Sequence, residues 1–190
     1  MKVYEAVLDQ LIGSGVKYFA GMAGSTSAPY VSNLAGRNDA RYVGVRHEQV
    51  AAAMIEATAR LSGAPCCVMV HGGSGLLAAS LGIASAALDS TPMVVLTATQ
   101  ERKAMENGWW QTMDVLKPLE GVAKWQKRVE RPDQAVAAVR QALRESVTGR
   151  PGVAQLDFPI DLSIEDLEDD ALPETVSMAA PLLRSWPEPD

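Results

Sequence analysis

Two short runs near the middle of the chain constrain the fold most. Pro65–Val70 (PCCVMV) and Pro92–Ala98 (PMVVLTA) are continuously apolar, and between them Gly72-Gly73-Ser74-Gly75 opens a helical pattern that reaches about Leu88. Runs this short and this apolar read as strands buried on both faces. Two such strands joined by a helix are parallel neighbours, and a right-handed crossover leaves few topologies.

The same alternation extends in both directions. Residues 3–13 carry Val3, Ala6, Val7, Leu8 and Leu11 on one helical face, and Gly13-Ser14-Gly15 closes the pattern. Strands are expected at 17–21, 41–45, 122–129 and 152–158, with helices at 27–36, 47–62 and 132–146; residues 104–120 are mixed. The fold class is therefore α/β, a six-stranded, mostly parallel sheet with helices on both faces. One domain is expected over residues 1–162. Residues 163–190 turn acidic and proline-containing, as a solvated tail or linker stub does.

The net charge of −6 gives no general attraction for nucleic acid or an anionic membrane, so neither is an expected partner. No apolar run approaches the ~18–20 residues of a membrane span, and Met1-Lys2-Val3-Tyr4-Glu5 lacks a signal-peptide layout; a cytoplasmic location is expected. Cys66 and Cys67 are adjacent, so on a strand they point to opposite faces. With two histidines in the chain they make no metal-ligand set, and buried thiols are expected. No metal ligands are assigned.

Ligands of such sheets bind outside the carboxyl ends of the strands, which selects loops 21–27, 46–48 and 71–76. Glu48 stands where a strand gives way to a helix. It reads either as an ordinary acid favoured by the helix dipole or as a desolvated acid/base at the crevice mouth. His47 beside it reads as a structural histidine. Gly73-x-Gly75-x-x-Ala78 fits a loose dinucleotide fingerprint, but the next strand ends in Thr97-Ala98-Thr99-Gln100, without the acid that would hold a ribose. Trp109 and Trp110 lie in a loop-like stretch, as core side chains or as an aromatic lid or partner surface.

Taken in order, these pieces resemble the pyrimidine-binding (PYR) domain of thiamine-diphosphate-dependent enzymes, the superfamily of acetolactate synthase, benzoylformate decarboxylase and sulfopyruvate decarboxylase-like proteins. The resemblance runs from residue 3 to about residue 162. Gly21-Met22-Ala23-Gly24 stands for Gly-hydrophobic-Pro-Gly, Arg46-His47-Glu48 for the Arg-His-Glu signature, and Gly73-Ser74-Gly75 for Gly-Pro-Gly. Gln111-x-x-Asp114, the basic Lys124 and Leu156-Asp157-x-Pro159-x-Asp161 follow at the family's intervals. Ala23 and Ala78 depart from a frequent proline and asparagine.

The resemblance implies a thiamine-diphosphate-binding fold and gives each residue a role. Glu48 would hydrogen-bond N1′ of the aminopyrimidine, so that the 4′-imino nitrogen can take the proton from thiazolium C2. Gly73, Ser74 and Gly75 would line the pyrimidine face. Gly24 and Ser25 would approach the reacting side, and Gln111 would reach the substrate. His71, Trp109 and Trp110 are substrate or lid candidates, the tryptophans as an apolar wall.

Thiamine diphosphate would be shared with a diphosphate-binding (PP) partner chain carrying Gly-Asp-Gly and Asn-Asn, which would also hold Mg²⁺. Neither motif occurs in these 190 residues. The resemblance thus implies the PYR subunit of a split enzyme, paired with a second copy of itself in a heterotetramer and acting on a small-molecule 2-oxo acid by decarboxylation, carboligation or acyl transfer. A non-catalytic module that binds and regulates or stabilises a complete enzyme is the alternative; a nicotinamide-dependent oxidoreductase rests on the glycine turn alone.

Overall fold

The computed structural model of the chain describes residues 1–167. Its elements are α1 (Val3–Gly13), β1 (Tyr18–Gly21), α2 (Ala28–Ala35), β2 (Arg41–Gly44), α3 (Glu48–Ser62), β3 (Cys66–His71), α4 (Gly72–Leu88), β4 (Met93–Thr99), α5 (Arg102–Glu106), β5 (Trp125–Arg128), α6 (Ala135–Val147), β6 (Val153–Pro159) and α7 (Ile160–Ser163). The six strands form one sheet in the order β2-β1-β3-β4-β6-β5. Every neighbouring pair is parallel.

Side-chain alternation along the strands builds two cores. Cys67, Met69, Val94 and Leu96 face a core shared with α1, α2 and α6. Cys66, Val68, Val70, Met93 and Val95 face the other, shared with α3 and α4. The adjacent cysteines therefore lie in separate cores, both free and both buried.

The order of strands positions the site. From β1 the chain passes to β2 on one side, then returns past β1 to β3 on the other. The helix after β1, α2, packs its Tyr30 and Leu34 on one face, whereas α4, after β3, packs Leu76, Ala79 and Ile83 on the opposite face. Neighbouring strands whose chains depart to opposite faces leave a crevice beyond their carboxyl ends. Gly21 lets these two strands close up, since a Cβ there would lie 2.3 Å from the Met69 carbonyl oxygen.

Two boundaries differ from expectation for local reasons. The helix expected from His47 begins at Glu48, because His47 is the extended N-cap and its Nδ1 accepts from the Gln49 N–H at 3.2 Å. The strand expected from Val122 begins at Trp125, because the Val122 and Ala123 amides turn back onto the Leu119 carbonyl. Packing continues past residue 162: Tyr30 and Ser163 share a buried hydroxyl contact of 2.9 Å, Lys2 pairs with Asp166, and Leu167 is buried. The acidic tail from residue 168 onward lies outside the described residues.

No helix among the described residues is long and apolar enough to cross a membrane. The helices α3 and α4 nevertheless leave an apolar outer face. Val50, Met54 and Leu61 on α3, and Leu77, Leu81 and Leu88 on α4, are exposed with the same i, i+4, i+11 spacing. No charged residue occurs within α4.

Candidate functional site

Glu48 occupies the first turn of α3, where the dipole favours a carboxylate. It is 7% exposed, yet among the described residues no hydrogen bond or ion pair engages its carboxylate. The side chain lies against the glycine turn: a Cβ on Gly75 would stand 3.1 Å from Glu48 Oε1. An acid placed for stability alone would be expected to reach a backbone N–H or a cation.

The turn itself is made by glycines. Gly72 takes a positive φ of 56° at the junction of β3 and α4, a conformation that costs a side-chain-bearing residue. Gly73 lies under Met113, whose Sδ would be 2.0 Å from a Cβ at that position. Gly73 and Gly75 are buried, whereas Ser74 is exposed.

The loop after β1 reaches the same place. A Cβ on Gly24 would lie 2.4 Å from His71 Cγ, so this loop folds directly over the imidazole. His71 Nδ1 is 2.6 Å from the Thr26 hydroxyl, and His71 Nε2 is 2.9 Å from Gln111 Oε1. Thr26 Oγ1 also donates to the Ala98 carbonyl at 2.5 Å. Ser25 is exposed beside this chain of contacts.

Gln111 is held from the far side of the sheet. Arg128 Nη2 reaches Asp114 at 3.3 Å, Gln155 Nε2 donates to the Val115 carbonyl at 3.0 Å, and Gln126 Nε2 donates to the Leu116 carbonyl at 2.6 Å. Arg128 also pairs at 2.6 Å with Asp157, which receives the Thr99 hydroxyl at 2.8 Å. Burial pushes the Asp157 carboxyl above the usual carboxylate range, against the opposing pull of Arg128 and Thr99. This network fixes residues 114–116 to the sheet, and Met113 and Gln111 with them over the glycine turn. Gln111 has a φ of 59°, in the left-handed region where a non-glycine residue is uncommon.

The structure thus brings Gly24, His71 and Gln111 together, and Glu48 against Gly75. It leaves Trp109 and Trp110 apart from both cores, their side chains outermost at 62% and 75% exposure. Lys124 serves the fold, its ammonium donating to the Glu145, Thr148 and Arg150 carbonyls beyond the end of α6. Sequence reasoning missed Thr26 and Met113. Thr26 lies in a loop that the strand-end rule selects, but its contact with His71 spans 45 residues. Among the described residues, no group of three or more His, Cys, Asp or Glu gathers as a metal site.

The fold is a parallel α/β domain with a glycine turn and a buried acid side by side at the carboxyl end of its sheet. The chain belongs to the family described as thiamine pyrophosphate enzyme, N-terminal TPP binding domain, whose sequence model matches residues 1–117. It is 30% identical over 173 residues to a probable acetolactate synthase large subunit of Methanocaldococcus jannaschii, covering 91% of this chain and 29% of that protein. It is also 30% identical over 144 residues to the oxalyl-CoA decarboxylase of Escherichia coli, covering 74% of this chain and 26% of that protein. The chain therefore spans less than a third of the length of these curated relatives. Its fold matches that of the Rhodococcus jostii thiamine diphosphate-dependent 4-hydroxybenzoylformate decarboxylase with a TM-score of 0.84, at 20% identity, over 90% of this chain and 32% of the other.

Proposed function

We propose that this chain is the PYR subunit of a two-subunit thiamine-diphosphate-dependent enzyme acting on a 2-oxo acid. The observation that carries the proposal is Glu48, packed against Gly75 with its carboxylate unpaired with any protein group among the described residues. A ring nitrogen such as N1′ of an aminopyrimidine is the kind of partner this carboxylate lacks; the missing Cβ at Gly75 lets Glu48 lie close to the turn, while Met113 packs over Gly73. When bound, the cofactor supplies a nucleophilic thiazolium carbon for attack on a carbonyl. Glu48 holds and shares a proton at N1′. Gly24 and Ser25 border the reacting side, Gln111 offers a polar group to the substrate, and His71 orients Gln111.

Mg²⁺ and the diphosphate are assigned to a PP partner chain. The exposed apolar side chains of α3 and α4 support this, because these two helices begin at Glu48 and at the glycine turn. A protein docked along Val50, Met54, Leu77 and Leu81 is continuous with the crevice. The relatives' names are divided between a synthase and decarboxylases. Both chemistries begin at the carbonyl carbon of a 2-oxo acid or a related acyl compound, so the substrate class is shared and the acceptor is left to the partner.

The test is Glu48→Gln, measured as deuterium incorporation at thiazolium C2 in the chain reconstituted with a PP chain and Mg²⁺. The amide keeps the size of the acid but cannot share a proton with N1′. Loss of acid/base help is expected to slow exchange by ~10²–10⁴. Equal rates in wild type and variant would return Glu48 to a helix-capping role and favour the non-catalytic module.

A further inference from the structure

We infer that Thr26 is a positioning residue: it holds His71 in the Nδ1–H tautomer, and His71 in turn sets the Gln111 amide with its nitrogen on the imidazole and its carbonyl oxygen toward the crevice. The inference rests on the reading of Gln111 as the group that meets the substrate.

Counting protons carries it. Thr26 Oγ1 makes two short contacts, 2.5 Å to the Ala98 carbonyl oxygen and 2.6 Å to His71 Nδ1. Each contact needs one hydrogen between its heavy atoms, and a hydroxyl has one to give. A carbonyl oxygen accepts and never donates, so the hydroxyl hydrogen lies toward Ala98. The second hydrogen must come from the imidazole, which makes Nδ1 the donor. The Thr26 backbone N–H also points at Nδ1, but from 3.4 Å, and this longest of the three contacts yields.

At a pH where the imidazole carries a single proton, which is where the spectra are recorded, protonation at Nδ1 leaves Nε2 bare. Nε2 therefore accepts, and its neighbour must donate. That neighbour is the end of the Gln111 side chain, with Oε1 standing 2.9 Å from Nε2. The two ends of an amide have the same shape and are told apart by their partners. The proton count gives the nitrogen to the imidazole and turns the carbonyl oxygen outward. An outward acceptor selects a ligand with a donor, such as a hydroxyl, at that point of the crevice. Gln111 is fixed enough for the choice to matter, since its backbone is held at a positive φ by its surroundings.

The chain carries its own control. Of its two histidines, His47 accepts from the Gln49 N–H through Nδ1 and so bears its proton on Nε2. Long-range ¹H–¹⁵N correlation spectra of the uniformly ¹⁵N-labelled chain, without cofactor, should show two imidazoles of opposite tautomer. His71→Gln assigns them by removing one set. Thr26→Val should move the His71 proton to Nε2, and Thr26→Ser, which restores the hydroxyl, should return it to Nδ1.

A wild-type His71 protonated at Nε2 overturns the inference, as does an Nδ1–H tautomer that survives in Thr26→Val. The wild-type and Thr26→Ser spectra decide the point even where Thr26→Val fails to fold. The cofactor reading is judged separately: a chain that fails to bind thiamine diphosphate with a PP partner sinks that reading and leaves the tautomers as measured.

Discussion

Gly82→Ala tests whether the α3–α4 contact sets the position of Glu48. A Cβ at residue 82 would lie 2.7 Å from Ala52 Cβ, 2.9 Å from the Ala53 nitrogen and 3.0 Å from the Ala52 carbonyl carbon. Carbon–carbon contacts settle near ~3.5–4.0 Å, so the helices must part by about 1 Å. Two of the three obstacles are backbone atoms, which no rotamer change can remove. Overpacking of this kind costs about 1–3 kcal/mol, while alanine in place of a helical glycine returns about 1 kcal/mol. The expected net loss is about 1 kcal/mol, or a fall in Tm of about 2–4 °C for a domain of this size.

Ala52 lies one turn after Glu48 on α3, so the same displacement carries the carboxylate away from the glycine turn. Cofactor binding by the reconstituted complex should weaken together with stability. The assay pairs urea denaturation with calorimetric titration of thiamine diphosphate. A midpoint at or above the wild-type value, with cofactor affinity unchanged, would show that the two helices separate freely and that their contact does not locate Glu48.

Leu81→Lys changes a residue that is already 65% exposed, so stability should stay within about 0.5 kcal/mol while affinity for the PP chain drops, as read by sedimentation of the mixture. Unchanged affinity would remove the outer face of α4 from the partner surface. Both thiols should be inert to a disulfide reagent at pH 8 in the folded chain and reactive in denaturant. Burial pushes the Cys66 thiol up to about 11 and that of Cys67 higher still, which leaves about one Cys66 in a thousand as thiolate.

Local pattern carried the fold as far as it was written locally. The apolar runs at 65–70 and 92–98 became β3 and β4 within a residue, because a strand buried on both faces has no polar position to blur its ends. The separation of Cys66 from Cys67 follows from strand pleat alone. The strand order β2-β1-β3-β4-β6-β5 was not legible, since pairing depends on contacts between segments far apart in the chain. Glu48 stood out as an acid at a helix start, but that signal is shared with ordinary capping acids. What separates the two readings is the missing partner, a property of the packed structure. Thr26 and Met113 escaped for the same reason, because a threonine in a loop and a methionine in a mixed stretch become neighbours of His71 and Gly73 only when the crevice closes.

Glu48 also ties the candidate site to stability. Glu48 is 7% exposed, so its carboxylate keeps only part of its hydration, and no hydrogen bond or cation replaces the rest among the described residues. The α3 dipole offsets about 0.3–1 kcal/mol of that cost at most. A glutamine in its place is neutral and less expensive to bury, so Glu48→Gln should leave the cofactor-free chain at least as stable as wild type. A capping acid gives the opposite sign, because its loss removes the favourable dipole term and returns nothing. The unliganded chain thus carries an unmet polar demand that a ligand can satisfy, and a ligand that does so stabilises the fold by mass action. In the variant that gain is expected to shrink: wild-type reconstituted complex should rise in Tm on adding thiamine diphosphate by more than Glu48→Gln does. Equal rises in the two would mean that the carboxylate never meets the cofactor.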